Sequence, residues 1–248
     1  MSRRRWIADE VAGDTAALIG EHALHLARVL RAQVGQEFDI ATGTSVRRGT
    51  VTSISPNRVE FLLGDLPGDE RRMKASPQVT LVLSIFKFDR MEWAIEKCTE
   101  IGVARILPVI ARRTDAHLAA AAVKRHERWV RIVRQASEQS RRASIPEVVS
   151  PVKLGDVNVP AGASRVVLAE SEEESQLREV LQSRLGEVVL AVGPEGGWAD
   201  EEMIWFRENG WAAASLGDSI LRTETAAIVG CALALDEAGS QISRASGT

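Results

Sequence analysis

The segment Val188-Val189-Leu190-Ala191-Val192-Gly193-Pro194-Glu195-Gly196-Gly197 combines an apolar run of strand length with a glycine-rich turn. A second segment is built the same way and reads Ala212-Ala213-Ala214-Ser215-Leu216-Gly217-Asp218-Ser219-Ile220-Leu221-Arg222-Thr223-Glu224-Thr225-Ala226. Each leads into a helical pattern. In open α/β sheets, ligands bind outside the carboxyl ends of strands, where loops expose backbone groups. Two such loops close together predict a pocket that recognises an adenine-bearing cofactor through main-chain groups.

The glycine-rich turn at residues 193–197 is neither of the two common phosphate-binding loops. No Gly-Lys-Ser/Thr follows it, and its spacing is not Gly-x-Gly-x-x-Gly. Taken alone, it is equally compatible with an ordinary turn. Its glycines permit positive φ and close approach to the backbone. Asp200, Glu201 and Glu202 follow in the first turn of a predicted helix, where the helix dipole favours acids. In the second segment, Thr223 is the predicted N-cap of the helix at 224–238.

From Val79 onward, predicted strands alternate with predicted helices. The strands are expected at residues 79–86, 106–110 with an interruption at Pro108, 166–169, 188–192 and 212–216. The main helices are expected at 89–101, 118–142 and 224–238. This alternation predicts an α/β fold with a mainly parallel sheet covered on both faces.

The first 75 residues have a different pattern. Short strands are predicted at 38–41, 46–54 and 59–63, which suggests a small β-barrel or compact sheet. A helix is predicted at 21–31, with Leu24, Ala27 and Val29 or Leu30 on its apolar side. Because residues 65–77 are polar and flanked by proline, we expect a linker there, and domains at residues 1–74 and 75–248.

Composition is typical of a globular protein, with 45% hydrophobic and 26% charged residues among 248. No apolar run approaches the roughly 18 residues of a membrane span, so no membrane partner is predicted. The basic start lacks the apolar stretch of a signal peptide. Cys98 and Cys231 match no metal or disulfide spacing and are predicted to be small buried side chains. A cytoplasmic location is therefore expected.

Positive charge is concentrated in one segment, although the net charge is only −3. Residues 121–145 contain seven basic residues and two acidic ones. On the helix predicted there, Trp129, Ile132, Val133 and Ala136 share one stripe, and the side opposite carries Lys124, Arg128, Arg131 and Arg134. This side is either an ordinary solvated face or a phosphate-binding surface whose affinity would fall steeply with salt.

Three further segments accompany the two loops in a fixed order. They are His25-Leu26-Ala27-Arg28-Val29-Leu30-Arg31 followed by Gly35, Lys87-Phe88-Asp89-Arg90-Met91-Glu92-Trp93 followed by Lys97-Cys98-Thr99-Glu100-Ile101-Gly102-Val103, and Glu138-Gln139-Ser140 with Arg142 and Pro146-Glu147. Along nearly its whole length the chain thus resembles the bacterial SPOUT-class methyltransferases that act on N3 of uridine 1498 in 16S ribosomal RNA.

The resemblance implies a SPOUT domain with a deep trefoil knot, preceded by a PUA-like β-barrel that helps bind RNA. It implies S-adenosyl-L-methionine as the cofactor, bound in the knotted loops. The implied partners are 16S ribosomal RNA within the small ribosomal subunit and a second copy of the chain, which would complete the active site. No metal is expected, since the reaction needs none and no ligand cluster suggests one.

The resemblance also assigns residues. The expected cofactor contacts are Leu168, Val192, Gly193, Pro194, Gly196, Gly197, Leu216, Gly217, Ser219, Ile220, Leu221 and Thr225. The expected RNA contacts are Arg5, Arg28, Arg31, Lys87, Arg134, Arg141 and Arg142. The chain departs from the family at two of these positions, because Ser219 replaces a usual arginine and Arg141 replaces a usual small residue. Arg141 is hypothesised to make the phosphate contact that Ser219 cannot.

Methyl transfer to uridine N3 sets three requirements. The proton on N3 must leave, the charge that develops on O2 and O4 must be stabilised, and both reactants must be positioned. Arg222 is the candidate for stabilising the oxygens. Glu224 is a candidate base or anchor, and Glu195 is a weaker candidate.

Three other functions are compatible with parts of the pattern. They are a SPOUT methyltransferase for another RNA nucleotide, a non-catalytic RNA-binding assembly factor, and a nucleotide-dependent oxidoreductase. The last is the poorest, because the dinucleotide glycine fingerprint is missing.

Overall fold

The computed structural model describes residues 5–43, 45–64, 78–172, 174–182 and 186–245. The chain divides into two compact units. The N-terminal unit contains the described residues up to 64 together with 137–145, and the C-terminal unit contains the other described residues. Residues 137–145 belong to the N-terminal unit although residues of the C-terminal unit precede and follow them in the sequence. The linker predicted at 65–77 lies outside the described residues.

The N-terminal unit is built on a six-stranded sheet with the order β1-β4-β5-β6-β3-β2. Strand β1 pairs with β4 in parallel, and every other pair is antiparallel. The three strands predicted here are confirmed, whereas the short β1 to β3 were missed. Its elements are β1 (Arg5–Ile7), β2 (Glu10–Ala12), β3 (Thr15–Ile19), α1 (Glu21–Leu24) continued by a π-helical turn (His25–Val29), β4 (Glu37–Ala41), β5 (Val46–Ser55) and β6 (Arg58–Gly64).

The apolar side predicted for the helix in this unit is confirmed at Ala27, which packs against the core, and is wrong at the larger side chains. Leu24, Val29 and Leu30 are exposed, and the buried side chains are Ala23 and Leu26. The prediction assumed the 3.6-residue period of an α-helix. Leu24 lies in the α-helical part, so the predicted stripe was misplaced from its first residue, before the chain changes to π-helical hydrogen bonding at His25–Val29.

Residues 137–145 are attached to the N-terminal unit by polar contacts. The His22 Nε2 atom lies 2.9 Å from a carboxylate oxygen of Glu138. The Gly43 N–H donates to the Ala143 carbonyl over 3.1 Å, and the Arg5 guanidinium donates to the carbonyl of Arg141. The unit therefore combines residues that are about a hundred positions apart in sequence.

The C-terminal unit is an α/β fold whose seven-stranded sheet is entirely parallel among the described strands. The strand order is β10-β8-β7-β12-β11-β13, with β9 also paired to β8. This confirms the mainly parallel sheet. Its strands are β7 (Val79–Ser84), β8 (Arg105–Ile110), β9 (Glu147–Val148), β10 (Val152–Lys153), β11 (Ser164–Leu168), β12 (Val188–Val192) and β13 (Ala212–Ala214). Its helices are α2 (Phe88–Ile101), α3 (Ala116–Gln139), α4 (Leu177–Gln182), α5 (Asp200–Glu208) and α6 (Thr223–Ala245), with a 3-10 turn at Leu154–Asp156.

Strand β8 is not interrupted at Pro108, contrary to the prediction. On one side, residues 105–106 of β8 pair with β9 and residues 109–110 pair with β10. Pro108 falls between these two short partners. Because proline has no N–H to donate to a ladder, this gap allows the strand to continue through it.

Helix α6 packs against α2 and against strands β7 and β12. Cys98 on α2 and Cys231 on α6 are both fully buried, as predicted. A hydrogen bond with Cys98, together with burial, raises the pKa of the Cys231 thiol well above its ordinary value. Both cysteines thus act as small apolar side chains of the helix interface.

The predicted buried stripe of the long helix α3 is confirmed by Trp129, Val133 and Ala136, which are buried. The helix ends at Gln139, three residues before the predicted end. None of the helices in the described ranges is both long and apolar enough to cross a membrane.

Gly49 on β5 provides a test of packing in the N-terminal unit. A Cβ atom there would lie 2.4 Å from Cγ1 of Ile40 and 3.2 Å from the ring of Phe61. Ile40 is fully buried and branched at Cβ, so it cannot move aside cheaply. We expect Gly49→Ala to lower the free energy of unfolding by about 1–3 kcal/mol, measured by urea denaturation. Gly64→Ala is the matched control, because its nearest atom is 3.9 Å away. Equal stability of the two variants would contradict this packing.

Candidate functional site

A cavity in the C-terminal unit lies where three adjacent parallel strands end. Strands β12, β11 and β13 are neighbours in the sheet, and the chain segments that follow them enclose a cavity of about 330 Å³. The cavity lining comprises residues 168–171, residues 192–194 and 196–198, residues 214–221, and Arg113, Asp200, Met203, Thr223 and Ala226. We call residues 193–199 the Gly193 loop and residues 215–222 the Leu216 loop.

The structure brings together all but one of the residues predicted to contact a cofactor. The exception is Thr225, which is half-buried in the first turn of α6 and is absent from the cavity lining. Ser219, where the chain departs from the family, is exposed and does line the cavity. The cofactor contacts themselves stay predictions.

Trp198 determines the shape of the Gly193 loop. A Cβ atom at Gly193 would lie 3.2 Å from the indole Nε1 of Trp198, so only glycine fits there without displacing the ring. The indole is nearly buried and packs edge-on against Phe206, with ring centroids 4.8 Å apart. Its Nε1–H has no acceptor among the described residues. A buried donor of this kind can serve a ligand in the cavity.

Arg113 is a cavity residue that the sequence analysis missed. Its guanidinium donates a hydrogen bond of 2.7 Å to the carbonyl of Gly196 and so supports the Gly193 loop. Arg113 follows the carboxyl end of β8. The two predicted loops were chosen because ligands bind outside the carboxyl ends of strands. The same rule, applied to β8, would have predicted Arg113 as a site residue.

Glu202 fixes the start of α5 beside the cavity. This nearly buried carboxylate accepts hydrogen bonds of 2.8 Å from the backbone N–H groups of Ala199 and Arg112. It therefore ties the end of the Gly193 loop to the segment that carries Arg113. Such charge-assisted bonds are among the stronger ones in proteins.

The two predicted catalytic residues lie outside the cavity lining. Arg222 is exposed, and its guanidinium has no ion pair within the described part of the chain. Glu224 is buried, and its Oε1 lies 3.7 Å from Nη1 of Arg90. Helix α6 begins at Thr223 itself, so the predicted N-cap is instead the first helical residue. Glu195 projects beside Lys87 and Arg90 at 3.9 and 3.5 Å.

The predicted RNA contacts are divided between the two units. Arg5, Arg28, Arg31, Arg141 and Arg142 belong to the N-terminal unit, and Lys87 and Arg134 belong to the C-terminal unit. Arg28, Arg31 and Arg141 are exposed, and the last two have positive φ angles of 51° and 57°. Arg142 is half-buried, and desolvation lowers the pKa of its guanidinium.

Part of the positive charge on α3 is neutralised by α2. Arg125 and Arg128 both pair with Glu92, at 3.3 and 2.7 Å. Lys124 and Arg131 remain exposed on the same helix. Ion pairs with α2 therefore account for Arg125 and Arg128, and both interpretations of the basic face stay open for Lys124 and Arg131.

The cavity lining combines glycines and apolar side chains with four charged residues, Arg113, Glu170, Asp200 and Asp218. Across the residues that the structure describes, no group of three or more His, Cys, Asp or Glu side chains is placed to hold a metal ion. Such a lining suits a flat heteroaromatic ring with a polar edge.

Known proteins of similar sequence are RNA methyltransferases. A family model described as an RNA methyltransferase domain matches residues 74–235. Ribosomal RNA small subunit methyltransferase E of Mycobacterium bovis is 34% identical over 228 residues, which cover 88% of this chain and 84% of that protein. Its namesake from Synechocystis is 33% identical over 239 residues, which cover 94% and 77%.

Two solved structures share the fold. The methyltransferase E of Neisseria gonorrhoeae, bound to S-adenosyl methionine, has a TM-score of 0.79 at 29% identity and covers 93% of this chain and 96% of its own. A putative methyltransferase of Legionella pneumophila with bound cofactor has a TM-score of 0.77 at 26% identity and covers 95% and 98%.

The parallel sheet, the cavity at its strand ends and the family match define the class, an RNA methyltransferase domain. Within this class, the chain belongs to the ribosomal RNA small subunit methyltransferase E family.

Replacing Arg113 tests its support of the Gly193 loop. Arg113→Met removes the donor to the Gly196 carbonyl, so we expect faster amide hydrogen exchange in residues 193–198 and unchanged exchange in residues 216–221. Arg112→Met is the control, because the Arg112 side chain is exposed and only its backbone N–H contacts Glu202. Hydrogen–deuterium exchange with mass spectrometry measures both. Equal exchange in the two variants would show that the bond does not order the loop.

Proposed function

We propose that this protein transfers a methyl group from S-adenosyl-L-methionine to N3 of uridine 1498 of 16S ribosomal RNA in the small ribosomal subunit. The observation that carries the proposal is the cavity at the ends of β11, β12 and β13, bounded by the Gly193 and Leu216 loops. Its relatives among the ribosomal RNA small subunit methyltransferases E support the RNA substrate. The choice of uridine N3 rests on the five-segment resemblance.

The cavity fits the cofactor in size and chemistry. Its volume of about 330 Å³ falls within the range of small-molecule sites. Leu168, Val192 and Leu216 offer apolar walls to an adenine ring, and the loops offer backbone donors and acceptors to its edge. The buried Nε1–H of Trp198 offers a further donor. When bound, the cofactor supplies an electrophilic methyl group on a sulfonium.

We assign the other catalytic roles to residues around the cavity. Arg222 is the exposed last residue of the Leu216 loop and is our candidate for stabilising the negative charge that develops on the uracil oxygens. Glu224 is buried against Arg90 and outside the lining, so we assign it an anchoring role, and the exposed carboxylate of Glu195 is then our candidate for accepting the N3 proton. The target base must leave its stack to reach the cavity.

RNA binding is assigned mainly to the N-terminal domain, residues 1–74, which we propose to be a PUA-like β-barrel. Exposed Arg28 and Arg31, together with Arg5, would contact phosphates there. Arg134, Arg141 and Arg142 would extend the contacts, and Lys87 would approach the RNA near the cavity. Phosphate contacts of this kind position the RNA and make binding sensitive to salt.

The remaining features proposed from the family concern the catalytic domain, residues 75–248. We propose that its cofactor loops are threaded as a deep trefoil knot and that two copies of the chain form the active enzyme. Exposed apolar side chains on the packed helices α2 and α6 support the dimer, since Trp93 is 48% exposed and Val229 is 37% exposed. Large apolar side chains in such positions favour contact with another protein surface.

Identification of the product tests the proposed reaction. Small ribosomal subunits from a strain that lacks this gene are incubated with the purified protein and labelled cofactor, and the digested RNA is analysed by nucleoside mass spectrometry. We expect N3-methyluridine in the fragment that contains the proposed uridine. Label on another nucleotide would indicate a different RNA specificity. An absence of both label and a cofactor-dependent thermal shift would indicate a non-catalytic assembly factor.

The role of Arg222 is tested by Arg222→Ala. Loss of charge stabilisation in the transition state is expected to lower kcat by about 100-fold, in the range found for single oxyanion-type donors, and to change the cofactor Kd by less than about twofold. Single-turnover kinetics and calorimetry measure the two quantities. Arg207→Ala on the exposed side of α5 is the control. A parallel loss of kcat and cofactor affinity would instead make Arg222 an organiser of the Leu216 loop.

A further inference from the structure

One guanidinium nitrogen lies between carboxylates from both sides of the cavity. Nη1 of Arg90 is 3.5 Å from Oε1 of Glu195 and 3.7 Å from Oε1 of Glu224. Glu195 is part of the Gly193 loop. Glu224 stands in the first turn of α6, two residues after the Leu216 loop. Arg90 itself is on α2, which packs against α6.

We infer that Arg90 is a positioning residue that holds the Gly193 and Leu216 loops in one arrangement for cofactor binding. The inference rests on the proposed role of the cavity as a cofactor site. Arg90 does not line the cavity, so it acts through the two glutamates. Because its single charge serves both carboxylates, movement of either loop changes the interaction available to the other.

The link to Glu224 carries the larger effect. The Glu224 side chain is only 9% exposed, and its Oε2 has no hydrogen-bond donor within the described ranges. Among the described residues, Arg90 forms the ion pair with this carboxylate. A buried carboxylate that loses its cationic partner is strongly disfavoured. Removal of Arg90 therefore displaces the start of α6 and the loop before it.

The link to Glu195 is weaker and partly duplicated. The Glu195 side chain is 42% exposed, and Lys87 lies 3.9 Å from its second oxygen. Solvent screens an exposed pair, and a second cation compensates for the loss of the first. The two links are therefore unequal in strength. They share one guanidinium nitrogen, which distinguishes them from two independent surface ion pairs.

Cofactor affinity without RNA tests the inference directly. Calorimetric titration of Arg90→Met with S-adenosyl-L-methionine is expected to give a Kd raised by about tenfold, and Arg90→Lys, which keeps the charge, is expected to recover part of the loss. Lys97→Met is the matched control. Lys97 is on the same helix and also contacts two carboxylates, but both of these, Glu96 and Glu100, belong to α2 itself. A Kd for Arg90→Met within twofold of the unmodified protein would overturn the inference.

A second experiment tests the coupling between the loops. Glu195→Gln and Glu224→Gln are combined with and without Arg90→Met, and the Kd is measured for each variant. We expect the effects of the two glutamine substitutions to be non-additive when Arg90 is present and additive when it is absent. Additive effects in the presence of Arg90 would show that it does not connect the loops.

Further measurements separate the proposed coupling from a folding defect, a failure of cofactor binding and an RNA-binding role of Arg90. If Arg90→Met does not fold, the same comparison is made in the Arg90→Lys background, where weakened coupling is expected and undiminished coupling would overturn the inference. None of these titrations depends on the RNA target, so a wrong choice of nucleotide leaves them valid. Failure of the unmodified protein to bind the cofactor would instead refute the proposed function. If Arg90 served only as an RNA contact, its removal would alter the salt dependence of RNA binding and leave the cofactor Kd unchanged.

Discussion

Parallel alignment of three neighbouring strands is the constraint on which the cavity depends. Because β12, β11 and β13 run in the same direction, their carboxyl ends lie side by side, and the loops that leave them must share one space. Loops at strand ends have backbone groups that no ladder satisfies, and these groups are available to a ligand. If another strand lay between any two of these three, the loops would be farther apart although their sequences were unchanged.

Carboxylates near the cavity act mainly as structural ties in this arrangement. Glu202 accepts two backbone hydrogen bonds and joins the start of α5 to the segment after β8. Glu224 is buried against Arg90. A buried carboxylate with fixed partners restrains the backbone around it, since leaving it without them is costly. The glycines and apolar side chains of the cavity wall can then approach a ligand closely.

Regular periodicity was the reliable signal in the sequence, and departures from regularity explain the errors. Strand β12 was predicted with its observed bounds, and α2 differs by one residue at its start. Strands β1 and β2 were missed because three residues do not establish a pattern, and β3 was missed although it is as long as β12. The apolar side of the first helix was misplaced already at Leu24, and the strand through Pro108 depends on the gap between β9 and β10, which is a property of the sheet.

The amino-acid sequence alone determined the local elements, the glycine-rich turns and the family, because these depend on residues that are close together in the chain or on the order of short segments. Tertiary structure decided which side chains support the cavity. The bond from Arg113 to Gly196 spans 83 residues, and the contact from Arg90 to Glu195 spans 105. The grouping of 137–145 with the N-terminal unit is of the same kind. Hydrophobic periodicity shows which face of an element is buried. It does not show which elements become neighbours, and these contacts exist only once the strand order and helix packing have been established.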